Sequence, residues 1–231
     1  MLKSELIEKN PLRIFRTAEN RQRLGLVMAR AGGGKTAILV QIALDSILRG
    51  RQVVHVSIGQ SLEKTRTWYD DIFKDVVTGY GLEHADEMRT EVLRQRMIMT
   101  FNASTFSAPK LEERLNDLVY QNIFRPACLI IDGFDFANAG RKAVQDLRGL
   151  IAAMNFDIWM SAVTHREDTR VSAEGVPAPC HQVADLFDTV IVVQPEKADT
   201  ALLNIVKDIP GGIPQGKTLT LNTSTLMIKE G

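Results

Sequence analysis

The sequence predicts an α/β fold in which helices flank a central, mostly parallel β-sheet. Short apolar strands alternate with helical segments from Leu24 to Val163, which is typical of parallel strands joined by right-handed crossover connections. The chain then ends in consecutive strands, so we expect antiparallel strands and a hairpin to extend one edge of the sheet. A length of 231 residues suits one large core, and neither an internal repeat nor a linker divides the chain.

The composition is that of an ordinary globular protein, with 45% apolar and 24% charged residues. The 28 basic and 28 acidic residues cancel, so the net charge gives no support for nucleic-acid binding, although a local basic patch remains open. No apolar run is long enough to span a bilayer, and Cys128 and Cys180 lack metal-ligand spacing. We therefore expect a cytoplasmic protein with no membrane contact.

Residues 1–23 form a mixed, polar lead-in segment before the predicted domain at 24–231. Its arginines (Arg13, Arg16, Arg21 and Arg23) suit either a solvated segment or a nucleic-acid-binding arm, and the solvated segment is favoured.

The first predicted strand leads into a glycine-rich turn that is followed directly by a helix. The turn ends in Gly-Lys-Thr and matches the pattern strand–GxxxxGK[ST]–helix, with Ala29 at the position of the first glycine. Glycines let backbone N–H groups approach phosphate oxygens closely, and the helix aims its positive end at the same anion. The pattern predicts a Walker A phosphate-binding loop for a nucleoside triphosphate, with contacts from Ala29, Arg30, Ala31, Gly32, Gly33, Gly34, Lys35, Thr36 and Ala37.

Charged and hydroxyl side chains complete the predicted nucleotide site. Lys35 would reach the β- and γ-phosphates, and the Thr36 hydroxyl would bind Mg²⁺. Asp132 ends an apolar strand and would hold Mg²⁺ through its water shell, on a strand that we expect to neighbour the first one. Asp135 could assist Asp132 or serve only as a turn residue.

Capping residues set the expected helix boundaries. The helix after the loop ends at Arg49-Gly50, and the next one runs from Ser61 to a stop at Tyr80-Gly81. A charged, exposed helix is expected at 83–95. Ser107 and an early proline begin the following helix, and Asn138 is a candidate cap for the last one.

Apolar and β-branched runs set the expected strands. They predict strands at 52–57, 97–99, 127–132, 158–163, 189–193 and 201–206, and a hairpin over 218–228. Between them, the Thr164–Cys180 segment is long and rich in glycine, proline and charge, and loops of this length are usually functional or disordered.

The segment from Val54 to Ser61 resembles the second-strand motif of the RecA-like ATPases, in the branch that holds DnaB-like helicases, KaiC-like clock ATPases and RadA-like repair proteins. In that branch a catalytic glutamate follows the strand, whereas Gly59 or Gln60 stands there in this chain. A glutamine can position water but is a far poorer base than a carboxylate. Glu63 is a candidate substitute, or simply a solvated helix residue.

The resemblance extends from about Leu24 to Lys229. The 158–166 segment is similar to the strand that ends in a γ-phosphate sensor, which implies that role for Thr164 or His165. Lys207 matches the lysine that reaches the nucleotide of the next subunit in the family, but the arginine expected after it is absent.

Together these observations predict a RecA-like P-loop NTPase that binds ATP and Mg²⁺ and is a weak or partner-activated ATPase. The expected catalytic residues are Lys35, Gln60, Thr164 and His165. One alternative is a nucleotide-responsive switch or assembly module with little turnover. Another is a DnaB- or RadA-like DNA-dependent ATPase, in which the Thr164–Cys180 loop faces a DNA strand. The family resemblance also implies a homo-oligomer of the hexameric-ring kind.

Overall fold

Nine strands form one sheet in the computed structural model, which describes residues 4, 7–8, 10–16, 22–81, 83, 85–197, 199–209, 218–225 and 227–230. The strands are β1 (Leu24–Ala29), β2 (Val53–Ile58), β3 (Arg96–Phe101), β4 (Cys128–Asp132), β5 (Asp157–Val163), β6 (Thr189–Lys197), β7 (Thr200–Asp208), β8 (Thr218–Asn222) and β9 (Ile228–Glu230). The helices are α1 (Lys35–Leu48), α2 (Leu62–Tyr80), α3 (Ala85–Gln95), α4 (Ala108–Tyr120) and α5 (Gly140–Met154). Two 3₁₀ turns cover Pro11–Phe15 and His181–Leu186.

The strand order across the sheet is β3-β2-β4-β5-β1-β6-β7-β8-β9. Neighbours from β3 to β6 are parallel, and β6 to β9 are antiparallel. The predicted α/β class, with a mostly parallel sheet and a C-terminal antiparallel hairpin, is therefore confirmed. The expectation that the Asp132 strand directly neighbours β1 is wrong, because β5 lies between β4 and β1.

The two faces of the sheet carry different helices. Helices α1, α2 and α3 bury their apolar side chains on one face, where Ile38, Ile72 and Val92 belong to one core. Helices α4 and α5 cover the other face through Leu111 and Val144. Burial on both faces explains why the central strands are buried from end to end and consist mostly of apolar residues.

The lead-in segment does not behave as the solvated stretch expected from sequence. Leu12 and Phe15 are buried in the α1-side core, and the Phe15 ring meets Trp159 edge-on at 5.6 Å between centroids. Arg16 pairs with Asp45 at 2.9 Å. Residues 10–16 are thus part of the packed domain, while Arg21 lies outside the described residues.

The start of α5 also differs from expectation. Ala139, not Asn138, is the N-cap residue of this helix. The Asn138 side chain instead donates a 2.8 Å hydrogen bond to Asp135, whose other oxygen accepts from the backbone of Ala137. Asp135 therefore organises the turn, which supports its interpretation as a turn residue.

The Thr164–Cys180 loop is held by backbone hydrogen bonds of its own. Val171 and Pro177 form an isolated antiparallel bridge, and the Ser172 N–H donates to Val176 O at 2.9 Å. Val176 and Cys180 are buried in the core on the α4–α5 side. None of the helices within the described part of the chain is long and apolar enough to cross a membrane.

Candidate functional site

The glycine-rich loop joins the end of β1 to the start of α1 at the carboxyl edge of the sheet. Gly34 is the N-cap residue of α1 and has a left-handed backbone with φ of 82°. A Cβ on Gly33 would lie 2.9 Å from the Ala29 Cβ and 3.0 Å from the Arg30 carbonyl oxygen. The loop therefore needs glycine at Gly34 for its conformation and at Gly33 for its tight turn.

The first turn of α1 offers unpaired backbone donors. The first helical hydrogen bond runs from Ile38 N–H to the Gly34 carbonyl at 3.0 Å. The N–H groups of Lys35, Thr36 and Ala37 consequently have no carbonyl inside the helix to receive them. Helix α1 has 14 residues, so these donors coincide with the positive end of a substantial helix dipole and suit an anion.

The Lys35 ammonium bends back over the loop. It donates to the Arg30 carbonyl at 2.9 Å and to the Ala29 carbonyl at 3.3 Å. Partial burial lowers the pKa of Lys35 below its usual value, and the nearby negative charge of Asp132 opposes that shift. The cation is therefore held at the loop by two carbonyls that an anionic ligand could replace.

A short chain of hydrogen bonds crosses three elements beside the loop. The Thr36 hydroxyl donates to Asp132 Oδ2 at 2.7 Å, and Ser161 Oγ donates to Asp132 Oδ1 at 2.5 Å. The Gly133 N–H in turn donates to Ser161 Oγ at 3.3 Å. Thr36 on α1, Asp132 on β4 and Ser161 on β5 thus form one connected group.

Strand alternation explains how Asp132 and Ser161 come to face α1. Cys128 and Ile130 of β4, and Trp159 of β5, lie in the α1-side core, so the residues two positions further along point to the same side. A polar residue takes the place of an apolar one at the last position of β4 and two positions before the end of β5. Ser161 lies within the 158–166 segment that resembles the sensor strand, but no local sequence signal predicts its contact with Asp132.

The donor set fits a magnesium ion. Mg²⁺ is usually held by one or two carboxylates, several waters and substrate phosphates, rather than by a full cage of protein ligands. Thr36 and Asp132 are one hydroxyl and one carboxylate within 2.7 Å of each other, next to the free donors of α1. No cluster of three or more His, Cys, Asp or Glu side chains suited to a metal occurs in the part of the chain that the structure describes.

Thr164 and His165 lie where β5 ends, directly beside the loop. The Thr164 N–H donates to the Ala29 carbonyl at 3.0 Å, the same oxygen that Lys35 contacts. An open groove of about 460 Å³ lies here, lined by Arg30, Thr164, His165, Arg166 and the end of β6. Both candidate sensor residues are therefore next to the glycine-rich loop.

Gln60 lies further from the loop. It is half-buried just after β2, and β4 and β5 separate that strand from β1. Ser61 caps α2 by accepting the Lys64 N–H at 3.2 Å, and Glu63 is exposed in the first turn of that helix. The segment after β2 thus presents an amide at this edge, with Glu63 outside on the helix surface.

Lys207 on β7 is engaged within its own chain. Its ammonium lies 3.1 Å from Glu174 and donates to the Ala184 carbonyl at 2.9 Å, and only 9% of its side chain is exposed. Glu174 of the Thr164–Cys180 loop and the Ala184 carbonyl therefore hold the lysine within its own chain.

A buried histidine lies on β2, the strand that neighbours β4 and its Asp132. His55 Nδ1 is 3.1 Å from the Tyr69 hydroxyl, and Nε2 is buried without a hydrogen-bond partner among the described residues. Burial lowers the pKa of His55 to about 4, helped by Arg96 and opposed by Asp132. His55 is therefore neutral at physiological pH.

Comparison with protein-family models found no match, and a search of curated proteins found none either.

Proposed function

We propose that this chain binds ATP together with Mg²⁺ through the loop between β1 and α1. The observation that carries the proposal is the 2.7 Å contact between Thr36 and Asp132, two groups 96 residues apart in the chain. A glycine turn with a chance lysine would not need a carboxylate held at the start of the following helix. In the proposed site the loop backbone cradles the phosphates, Lys35 neutralises their charge, and Thr36 and Asp132 hold the metal.

We further propose that the domain is RecA-like and that hydrolysis is slow or depends on a partner. Gln60 would orient the attacking water, and Thr164 or His165 would contact the γ-phosphate. An amide cannot accept the proton of that water as a carboxylate does, so a low intrinsic rate follows.

A second candidate is a nucleotide-responsive switch that hardly turns over. Two observations favour it: the segment after β2 carries Gln60 rather than an acid, and Lys207 pairs with Glu174 within the chain. A DNA-dependent motor is less well supported, because Arg170 in the Thr164–Cys180 loop pairs with Asp168 at 2.6 Å.

Titration calorimetry with ATP, with and without Mg²⁺, tests the binding, and phosphate release distinguishes the two candidates. We expect Lys35→Ala to abolish ATP binding. A wild type that binds ATP but releases phosphate only at the Lys35→Ala background is a switch, whereas release above that background identifies an ATPase. Absence of ATP binding by the folded wild type would contradict both.

A further inference from the structure

Four buried polar side chains join strand β2 to helix α2. His55 and Ser57 lie on β2, and Thr65 and Tyr69 lie one turn apart on α2. Thr65 Oγ1 is 3.1 Å from Ser57 Oγ, and the Tyr69 hydroxyl is 3.1 Å from His55 Nδ1. None of the four residues is more than 3% exposed. Because buried polar groups are costly unless they are paired, these two contacts fix how α2 lies on the sheet.

The two contacts match each other in spacing. Two residues of a strand span about 6.6 Å, and four residues of a helix span about 6 Å. Thr65 meets Ser57, and Tyr69 further along α2 meets His55 further back on β2, so the helix runs opposite to the strand. A slip of α2 along the strand would break both contacts at once.

The Thr65 hydroxyl also closes the segment that carries Gln60. This 57–61 segment runs from Ser57 near the end of β2 to Ser61, the N-cap residue of α2. Besides its contact with Ser57, Thr65 Oγ1 lies 3.3 Å from the Ser61 carbonyl oxygen. A threonine hydroxyl both donates and accepts hydrogen bonds, so one side chain can serve both contacts. Thr65 therefore joins the two ends of the segment.

The 57–61 segment is packed directly against the strand that carries Asp132. Ser57 is the register partner of Asp132 between the parallel strands β2 and β4. One residue further along, a Cβ on Gly133 would lie only 2.4 Å from the Ile58 carbonyl oxygen. Only a glycine allows this approach of the two backbones, so the segment and the proposed metal site are close neighbours.

We propose that Thr65 is a positioning residue, whose hydroxyl holds the 57–61 segment so that Gln60 stays beside the metal site. The role of Thr65 rests on the function proposed above, in which Gln60 orients the attacking water. A small displacement of an orienting group slows a reaction sharply, because the reactants leave their productive geometry. Since the glycine-rich loop holds the nucleotide in that function, loss of the Thr65 hydroxyl should lower kcat and leave KM unchanged.

Phosphate release and ATP binding by Thr65→Val test the proposal. Valine keeps the shape of threonine and lacks the hydroxyl. We expect kcat to fall at least about tenfold, while KM and the Kd for ATP stay within about twofold of the wild type. Thr65→Ser retains a hydroxyl and should recover most of the wild-type kcat. A wild-type kcat in Thr65→Val would overturn the proposal.

Two variants on the same helix are matched controls. Thr67 Oγ1 also contacts the carbonyl four residues earlier, that of Glu63 at 3.0 Å, but Thr67 is exposed. Thr67→Val should therefore leave kcat unchanged. Tyr69→Phe removes the other buried contact and should lower the urea midpoint at least as much as Thr65→Val does, without changing kcat. An equal fall of kcat in Tyr69→Phe and Thr65→Val would overturn the proposal, because loss of packing would explain both.

A double-mutant cycle with Gln60→Ala shows whether Thr65 acts through Gln60. If the Thr65 hydroxyl positions this amide, Thr65→Val should lower kcat by less than about twofold once residue 60 is alanine. The same loss of kcat with glutamine or alanine at this position would show that Thr65 acts by another route, and the proposal would fail.

Amide hydrogen exchange of the nucleotide-free protein separates the role of Thr65 from the proposed function. The Gly59 N–H lies in the middle of the 57–61 segment and donates to the Phe101 carbonyl at 2.9 Å. Its exchange should be at least about tenfold faster in Thr65→Val than in the wild type, and unchanged in Thr67→Val. A wild type that releases no phosphate contradicts the proposed ATPase, and Gly59 exchange then decides alone whether Thr65 holds the segment. Unchanged Gly59 exchange in Thr65→Val would overturn the proposal in either case.

Discussion

The hydroxyl of Thr36 donates to Asp132 although the strand that carries Asp132 is not adjacent to β1. Strand β5 lies between them, and its Ser161 donates to the second oxygen of the same carboxylate. Asp132 is thereby fixed from two sides beside the glycine-rich loop, which gives the proposed metal site its geometry.

Removing the Ser161 hydroxyl should affect both stability and metal dependence. We expect Ser161→Ala to cost about 1.5–3 kcal/mol, because the buried hydrogen bond is to a charged group. The Mg²⁺ concentration needed for half-maximal ATP binding should rise several-fold, because Asp132 loses one of its two side-chain donors. Urea unfolding and ATP titrations at varied Mg²⁺ measure the two effects.

Ser46→Ala is the matched control, since Ser46 is buried on α1 and hydrogen-bonds Cys128 instead of Asp132. It should lower stability and leave the Mg²⁺ dependence unchanged. An unaltered Mg²⁺ dependence of ATP binding in Ser161→Ala would contradict the assignment of Ser161 to the proposed metal site.

Gly33→Ala should weaken ATP binding at least tenfold. The added Cβ would meet Ala29 and the Arg30 carbonyl at about 3 Å, so the loop would have to open. Gly149→Ala on α5 is the comparison, because a Cβ there meets nothing within 4 Å. It should stabilise the protein by about 0.5–1 kcal/mol without changing ATP affinity. Equal ATP affinities for the two variants would show that the loop does not hold the phosphates.

Gln60→Glu should raise the rate of phosphate release at least tenfold, since a positioned general base typically contributes about 10²- to 10⁴-fold. Glu63→Gln serves as the control and should leave the rate unchanged. Stopped assays with saturating ATP and Mg²⁺ measure both. If Gln60→Glu has no effect while Glu63→Gln abolishes release, the base is Glu63 and the assignment of Gln60 is wrong.

His55 should make the protein sensitive to acid. Its pKa is about 4 in the folded chain, below the ordinary value of 6.5, so the neutral form is favoured on folding. The contribution of neutral His55 to the free energy of unfolding is complete above pH 6.5. It is lost as pH falls toward 4, because the unfolded chain binds the proton first. The loss is at most about 1.4 kcal/mol per pH unit. The free energy of unfolding should therefore fall less steeply for His55→Gln than for the wild type between pH 6.5 and 4, and parallel slopes would contradict this prediction.

The parts of the fold that depend on local pattern could be predicted from the sequence. The Gly-Lys-Thr turn, the apolar strand ending in Asp132 and the C-terminal hairpin each carry their signal within a few residues. The Gly-Lys-Thr turn and the strand ending in Asp132, taken together, predict that Thr36 and Asp132 lie close to each other.

Other features depend on contacts between distant residues and leave no local signal. The burial of Leu12 and Phe15 depends on α1 and on Trp159, far along the chain. The pairing of Lys207 with Glu174 depends on how the Thr164–Cys180 loop folds. The strand order, with β5 between β4 and β1, is likewise set by packing and not by spacing in the sequence.

Thermal unfolding with and without ATP and Mg²⁺ tests the central claim most directly. At a ligand concentration about a hundredfold over its Kd, binding to the folded state contributes about 2.7 kcal/mol. For a chain of 231 residues this corresponds to a rise in Tm of roughly 5–10 °C. We expect that rise in the wild type and none in Lys35→Ala. An unchanged Tm of the wild type at saturating ATP and Mg²⁺ would contradict the account.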